Sequence, residues 1–271
     1  MGSAHSMEVY VSFVWQYREL ITSFIKRDIL TRYRGSFLGI LWSFLNPLFL
    51  LVMYTVVFSV ILGIRFPGST DITGYSIYLF CGLVPWIAFS ETVGRAPSLI
   101  LANVNLVKKT VFPLEILSLM ATSTGFIHGL VGLVILIGAV IVSPGQPLHW
   151  TVLLLPVVMI PQILFTIGIS WFLSSVGVFV RDLSEVMRII LTAWMFMTPI
   201  MYPLETIPAR YRGYMLINPL AVIIEGYRGL ILKGEFPQWD GLVWTVFLGV
   251  LVAVAGYYWF MRTKKAFADV I

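Results

Sequence analysis

A single cysteine, Cys81, stands among 271 residues, in an apolar run. No disulfide can form within the chain, and the residue reads as a small core side chain. Charge is scarce as well: Asp, Glu, Lys and Arg make up 11% of the residues against 59% apolar, with a mean hydropathy of +0.91. Soluble domains carry about 25% charged residues, so this chain cannot cover itself with water-compatible side chains. A soluble domain is excluded, and lipid is the expected solvent. Catalytic signatures are missing too. No Gly-Lys step occurs, hence no phosphate-cradling Walker A loop, and no Asp-x-Asp pair occurs, which disfavours a metal-dependent membrane glycosyltransferase. His128 and His149 stand without a second ligand at metal spacing, so neither a metal nor a cofactor is expected in this chain.

What is present is a set of long runs without one formal charge. Residues 36–64 and 72–90 give a first and a second membrane span, separated by a polar turn at 65–71 that contains Pro67 and Gly68. Residues 116–180 form an uncharged run of 65, too long for one crossing, and SPGQP at 143–147 divides it into spans 116–142 and 151–180. Shorter runs at 189–204 and 241–261 complete a set of six. Between them, 205–240 holds four acids and four bases, and its apolar stretch of 12 residues at 213–224 is too short to cross, so it reads as a re-entrant external hairpin. The expected fold is an all-α integral membrane protein with six transmembrane helices. Residues 1–6 read as a cloning remnant and 7–271 as one transmembrane domain.

Orientation follows from the basic residues. With the N-terminus in the cytoplasm, 13 of the 18 Lys and Arg fall inside and five outside, so both termini are expected to be cytoplasmic and the protein multi-pass. The basic residues flank spans rather than clustering on a soluble face, so no nucleic-acid partner is expected. The span centres hold no Asp, Glu, Lys or Arg. Ion-coupled carriers use such groups to relay protons or hold sodium, so the energy for work is expected from a partner.

Three segments carry the candidate chemistry. Residues 7–34 place Tyr17, Ile21, Phe24 and Ile25 on one helical face and Arg18, Glu19, Lys26 and Arg27 away from it, as in a helix lying in the headgroup layer, with Arg27, Arg32 and Arg34 placed to meet phosphate. The inside loop 94–112 combines Asn103, Asn105, Lys108 and Lys109 with Leu99, Leu101, Val104 and Leu106, a pattern suited to docking into a partner's groove. The second inside loop holds Arg181 and Asp182, with Glu185 and Arg188 at pairing distance along a helix. Trp42, Phe44, Tyr54, Trp86, Phe89, Trp194, Phe196 and Tyr202 supply rings that either anchor at the interface or line a path for sugars. In the external hairpin, Glu225 and Arg228 stand one helical turn apart.

Taken in order, RDILTRYRGSFLGILWSFLNPL from Arg27, GLVPWIAFSETV from Gly82, NVNLVKKTVFPLE from Asn103, GVFVRDLSEV from Gly177, TPIMYPLETIP from Thr198 and NPLAVIIEGYRGLIL from Asn218 resemble the membrane subunit of type-2 ABC polysaccharide exporters. That resemblance implies a homodimer bound to two cytoplasmic ATP-binding subunits, which carry ATP and Mg. It makes 7–34 a gate helix beside the lipid, 103–109 the coupling helix, and 204–233 a short external hairpin capping the exit; the residues expected at the coupling surface are Asn103, Asn105, Leu106, Lys108, Lys109, Arg181 and Asp182. The implied cargo is an O-antigen-like glycan on polyprenyl pyrophosphate leaving the cytoplasm of a bacterium through the inner membrane. Teichoic acid, capsule, a drug or a free lipid are the other cargoes such an architecture serves, and a membrane glycosyltransferase is the remaining class.

Overall fold

The computed structural model describes residues 17–63, 74–109, 112–143, 147–215 and 217–271, and no strand occurs among them. Residues 1–16, the 65–71 turn, Pro144 to Gln146 and the side chain of Lys109 lie outside the described residues. Helix α1 spans Arg18–Tyr33. It stops where Gly35 takes φ +84°, a left-handed value open to glycine without steric cost, and the chain reverses into α2, Trp42–Tyr54, which a π-helical turn carries on to Ile61. There follow α3 at Gly74–Arg95, a short α4 at Val104–Lys109, α5 at Glu115–Val142 and α6 at Leu155–Phe179. The chain then forms α7 at Leu183–Met197, α8 at Ala209–Met215, α9 at Pro219–Arg228, α10 at Trp239–Thr263 and a final turn α11 at Phe267–Val270.

Among the described residues, five helical stretches are long and apolar enough to cross a membrane: Gly39–Ile61, Gly74–Ser98, Glu115–Val142, Trp150–Phe179 and Trp239–Val270. The stretch at 189–204 differs from expectation. Its helix begins earlier, because the exposed Glu185 and Arg188 pair along the first turns at 2.8 Å rather than bounding the helix. It also stops earlier: Thr198 precedes Pro199, whose ring pushes it into extended backbone at ψ 137°. The resulting 15-residue helix measures about 22 Å, short of a hydrocarbon core of about 30 Å.

Helix α3 is the centre of the bundle. Of its most apolar window 78% is buried, against 11% for α2 and 22% for α10, so α2 and α10 turn most of their apolar surface outward. Helix α9 packs against α3, α6 and α10 with Leu220, Ile223, Ile224 and Arg228 fully enclosed. Asn218 caps its start by accepting from the Leu220 amide at 3.1 Å, and Pro219 occupies the first turn, where its missing N–H costs nothing. Buried Gln162 donates to the Pro85 carbonyl at 2.8 Å, a polar tie between α6 and α3.

The closest helix contact joins α6 and α10. Apolar side chains gain little by leaving lipid for protein, so association depends on close backbone approach, which small residues permit. Gly168 and Gly256 face each other at this crossing, and a Cβ on Gly168 would lie 2.5 Å from the backbone of Val252 and Ala253. Gly168→Leu should therefore separate the two helices at a cost of about 1–3 kcal/mol, read as a fall in melting temperature of the detergent-solubilised protein. Gly138→Leu, whose Cβ meets nothing within 4 Å, is the control and should leave melting unchanged.

Candidate functional site

Helix α1 presents Ile21, Phe24, Ile25 and Asp28 to the body of the protein and Arg18, Glu19, Lys26 and Arg27 outward. Asp28 takes a two-pronged hydrogen bond from Arg95 of α3, at 2.7 and 3.0 Å. Burial raises the Asp28 carboxyl pKa, but the hydrogen bonds and charge of Arg95 outweigh it and hold the group below its ordinary value. One turn on, Arg32 Nη1 lies 2.6 Å from Glu91 Oε1 and 2.6 Å from His128 Nδ1, which itself lies 2.9 Å from Glu91. Three helices, α1, α3 and α5, thus meet at one cluster of charge.

That cluster forms the wall of a cleft of about 600 Å³, lined also by Tyr33, Ser36, Trp42, Ser43 and Asn46. A second cleft of about 620 Å³ opens between α1 and the following turn, beside Lys26, Arg27 and Arg34. The three arginines read together in the sequence are therefore divided. Residues 27 and 34 are seven apart and share a helix face, whereas 32 is five from 27 and turns about 140° away. Arg27 rests over the Phe24 ring at 4.2 Å, and Arg34 is exposed.

The loop between α3 and α5 is mounted on the α6–α10 pair. Gly177 of α6 lies against the Pro97 backbone so closely that any Cβ would collide with it. Leu106 and Val107 of α4, together with Ile271, pack on a buried cluster that includes Ile100, Phe260 and Phe267. Phe267 of α11 is fully buried, its ring 5.5 Å from Phe260 and 6.1 Å from Phe179, and Lys108 donates to the Ile271 carbonyl at 2.8 Å. Lys264 pairs with the buried Glu115 at 2.6 Å, tying α10 to the start of α5. Asn103 is spent on a backbone bond to Leu99, while Asn105 and Lys108 are exposed. Arg181 and Asp182 are exposed in the α6–α7 turn, whose flanking helices both touch the Ala96–Ser98 turn, so the two inside loops of the sequence reading share one end of the bundle.

At the opposite end, Arg228 is wholly enclosed. It donates to the Pro199 and Ile200 carbonyls and to Glu225 at 2.6 to 2.7 Å, and lies 3.7 Å over the Tyr78 ring. The pair one turn apart is thus a clamp between α9 and the extended segment after α7. The eight candidate rings separate by burial. Phe89 is fully enclosed, stacked on Phe165 at 5.9 Å and edge-on to Trp194 at 5.2 Å, and Trp86 is 5% exposed beside it. Both are packing residues within the subunit. Tyr54 packs on Phe58, Trp194 bonds Asn218, and Tyr202 bonds the Phe196 carbonyl, whereas Trp42, Phe44 and Phe196 present open rings.

Sequence reading singles out Arg32 of this cluster but not Asp28, Glu91 or Arg95, nor the polar role of His128. The available signal was an acid at helical spacing on the apolar face of α1, and a Glu and Arg four apart at the end of an uncharged run. Because the Asp28 carboxyl is held low, its docking of α1 is complete at neutral pH and is lost as pH falls below the ordinary 3.8. Asp28→Asn should mimic that loss, speeding hydrogen exchange of α1 amides about five- to thirty-fold, the effect of about 1–2 kcal/mol.

Comparison with known proteins follows the same line. The chain is 32% identical over 260 residues to the O-antigen export system permease protein RfbA of Myxococcus xanthus, covering 95% of this chain and 97% of that one. It is 29% identical over 254 residues to the protein of that name from Klebsiella pneumoniae, covering 93% and 95%. To the polysialic acid transport protein KpsM of Escherichia coli it is 29% identical over 214 residues, covering 78% and 81%. The family described as ABC-2 type transporter matches residues 19–232. This multi-pass chain, with its apolar helices and its basic, loop-bearing end, belongs to the ABC-2 type transporter family and is the transmembrane subunit of an exporter.

Proposed function

We propose that the subunit is half of a passive conduit that exports a lipid-linked polysaccharide, an O-antigen-like glycan on a polyprenyl diphosphate, across the bacterial inner membrane. Two copies pair, and the outward apolar faces of α2 and α7 are the surfaces that favour it. Two cytoplasmic ATP-binding subunits, holding ATP and Mg, supply the work. Both termini are cytoplasmic, in keeping with the 13 to five division of basic residues. Helix α7 and the extended residues after it make the fifth of six crossings in chain order, and 205–240 forms the re-entrant hairpin over the exit, with Arg228 satisfied by carbonyls as depth in a membrane demands.

The observation that carries this reading is the mounting of α4. A six-residue helix has little stability of its own, yet here its apolar side is fixed to the α6–α10 pair through Phe267 and Ile271 while Asn105 and Lys108 face outward. Such a helix passes a push from a partner directly to the bundle. The α1 helix, docked through Asp28 and bordering two clefts, is the gate by which the headgroup reaches the conduit from the cytoplasmic leaflet.

The test is reconstitution with the ATP-binding subunits and lipid-linked glycan. Asn105→Trp with Lys108→Glu should lower glycan-stimulated ATPase about tenfold, equivalent to about 1.4 kcal/mol of coupling, while the protein still inserts and dimerises. Phe267→Ala should lower stimulation in the same direction by loosening the mount of α4. Full stimulation and export in both variants would reject the coupling assignment.

A further inference from the structure

One carboxylate in the inner cleft is shared by a guanidinium and an imidazole. The Glu91 side chain is 13% exposed and lies 2.6 Å from Arg32 Nη1, while His128 Nδ1 lies 2.9 and 3.0 Å from its two oxygens. Arg32 Nη1 is also 2.6 Å from that same Nδ1. These contacts cannot all be hydrogen bonds. A protonated Nδ1 donates to Glu91 and then points a donor at a guanidinium donor; a bare Nδ1 accepts from Arg32 and then turns its lone pair toward the carboxylate. Arg32 and His128 therefore compete for Glu91.

The competition makes Arg32 easy to detach. Breaking a partly buried ion pair is costly chiefly because a charge is left without a partner. Here, when Arg32 leaves, Nδ1–H donates to Glu91 without opposition, so the carboxylate keeps a partner. In that tautomer Nε2 is bare, and Tyr33 Oη lies 3.4 Å from it and can donate to it. Among the described residues, the other charged groups facing the pair are Asp28 of α1 and Arg95 of α3, which is 4.0 Å from Glu91 and held by Asp28. Helix α2 offers Trp42, Ser43 and Asn46 on the cleft wall, none of which titrates near neutral pH. Arg32 itself is 37% exposed at the edge of this cleft, with hydroxyl and amide donors for phosphate oxygens nearby and an indole ring for a sugar.

We propose that Glu91 and His128 form a release latch: they hold Arg32 in the resting subunit, and an arriving diphosphate headgroup takes Arg32 while His128 donates its Nδ1–H to Glu91 and keeps that carboxylate hydrogen-bonded. The latch rests on the lipid-linked diphosphate reading above and specifies how that headgroup is admitted. A diphosphate outcompetes a single carboxylate for guanidinium because it offers more charge and more acceptors in bidentate geometry. The Asp28–Arg95 link stays made, so α1 remains docked while one of its arginines changes partner.

The experiment is displacement of a fluorescent prenyl diphosphate from the full-length protein, with its ATP-binding subunits, in phosphatidylcholine nanodiscs. Farnesyl diphosphate is the competitor. Inorganic pyrophosphate and nanodiscs containing phosphatidylglycerol are the comparison arms. Glu91→Gln should bind farnesyl diphosphate about tenfold tighter and His128→Gln about tenfold weaker, the latter effect vanishing in the double variant. Arg32→Ala should abolish binding and Arg32→Lys restore part of it. Misfolding would weaken every variant, so the gain in Glu91→Gln is the deciding sign.

Unchanged or weaker binding in Glu91→Gln overturns the latch. Equal competition by inorganic pyrophosphate, or equal displacement by phosphatidylglycerol, overturns a lipid-borne diphosphate as the group that opens it. If the wild-type complex shows no ATPase response to lipid-linked glycan, the conduit reading itself fails. If that response is present and Glu91→Gln leaves affinity unchanged, the latch alone fails.

Discussion

Inside a bilayer an apolar side chain gains almost nothing by exchanging lipid for protein, and this constraint shapes the whole subunit. Cohesion has to come from close backbone approach and from a few polar links that lipid cannot satisfy. The Gly168–Gly256 crossing supplies the first, fixing α6 and α10 as one rigid pair. Gln162 on the Pro85 carbonyl, Arg228 on the carbonyls of Pro199 and Ile200, and Lys264 on Glu115 supply the second. Where neither operates, as over most of α2 and α7, the helix surface is left open.

The distribution of rigid and open surface matches the division of labour in the proposed exporter. Rigidity is concentrated between α4 and the α6–α10 pair, the line along which a push from outside the membrane would travel. Polar, exchangeable contacts are concentrated around α1, where Arg32, Glu91 and His128 meet beside a cleft. The far end is closed by α9, whose apolar side chains and Arg228 are both enclosed, so that end is held by packing and hydrogen bonds together. A conduit that opens from the membrane side and is driven from below needs this order of stiffness.

Much of the fold was legible because charge is expensive in lipid. The uncharged runs located α2, α3, α5, α6 and α10 to within a few residues at most ends. The same rule misplaced the helix near residue 189, since an ion pair one turn apart lets Glu185 and Arg188 sit within a helix that a charge-based boundary excludes. Site residues were legible when a single helix carried the signal, as with the outward and inward faces of α1 or the spacing of Glu225 and Arg228. They were not legible when the partners lay far apart in sequence: Asp28 and Arg95 are 67 positions apart, and Arg32 and His128 are 96. For the same reason the packing role of Phe89, which depends on Phe165 and Trp194, is not written in its own neighbourhood.

The central claim is that this chain conducts but does not drive. Sealed inside-out vesicles carrying the purified subunit, with and without its ATP-binding partner, and loaded from outside with radiolabelled lipid-linked glycan, test it directly. The account predicts accumulation of protected glycan against its gradient with the partner and ATP present, and none with the subunit alone. Uphill accumulation by the subunit without the partner would contradict it.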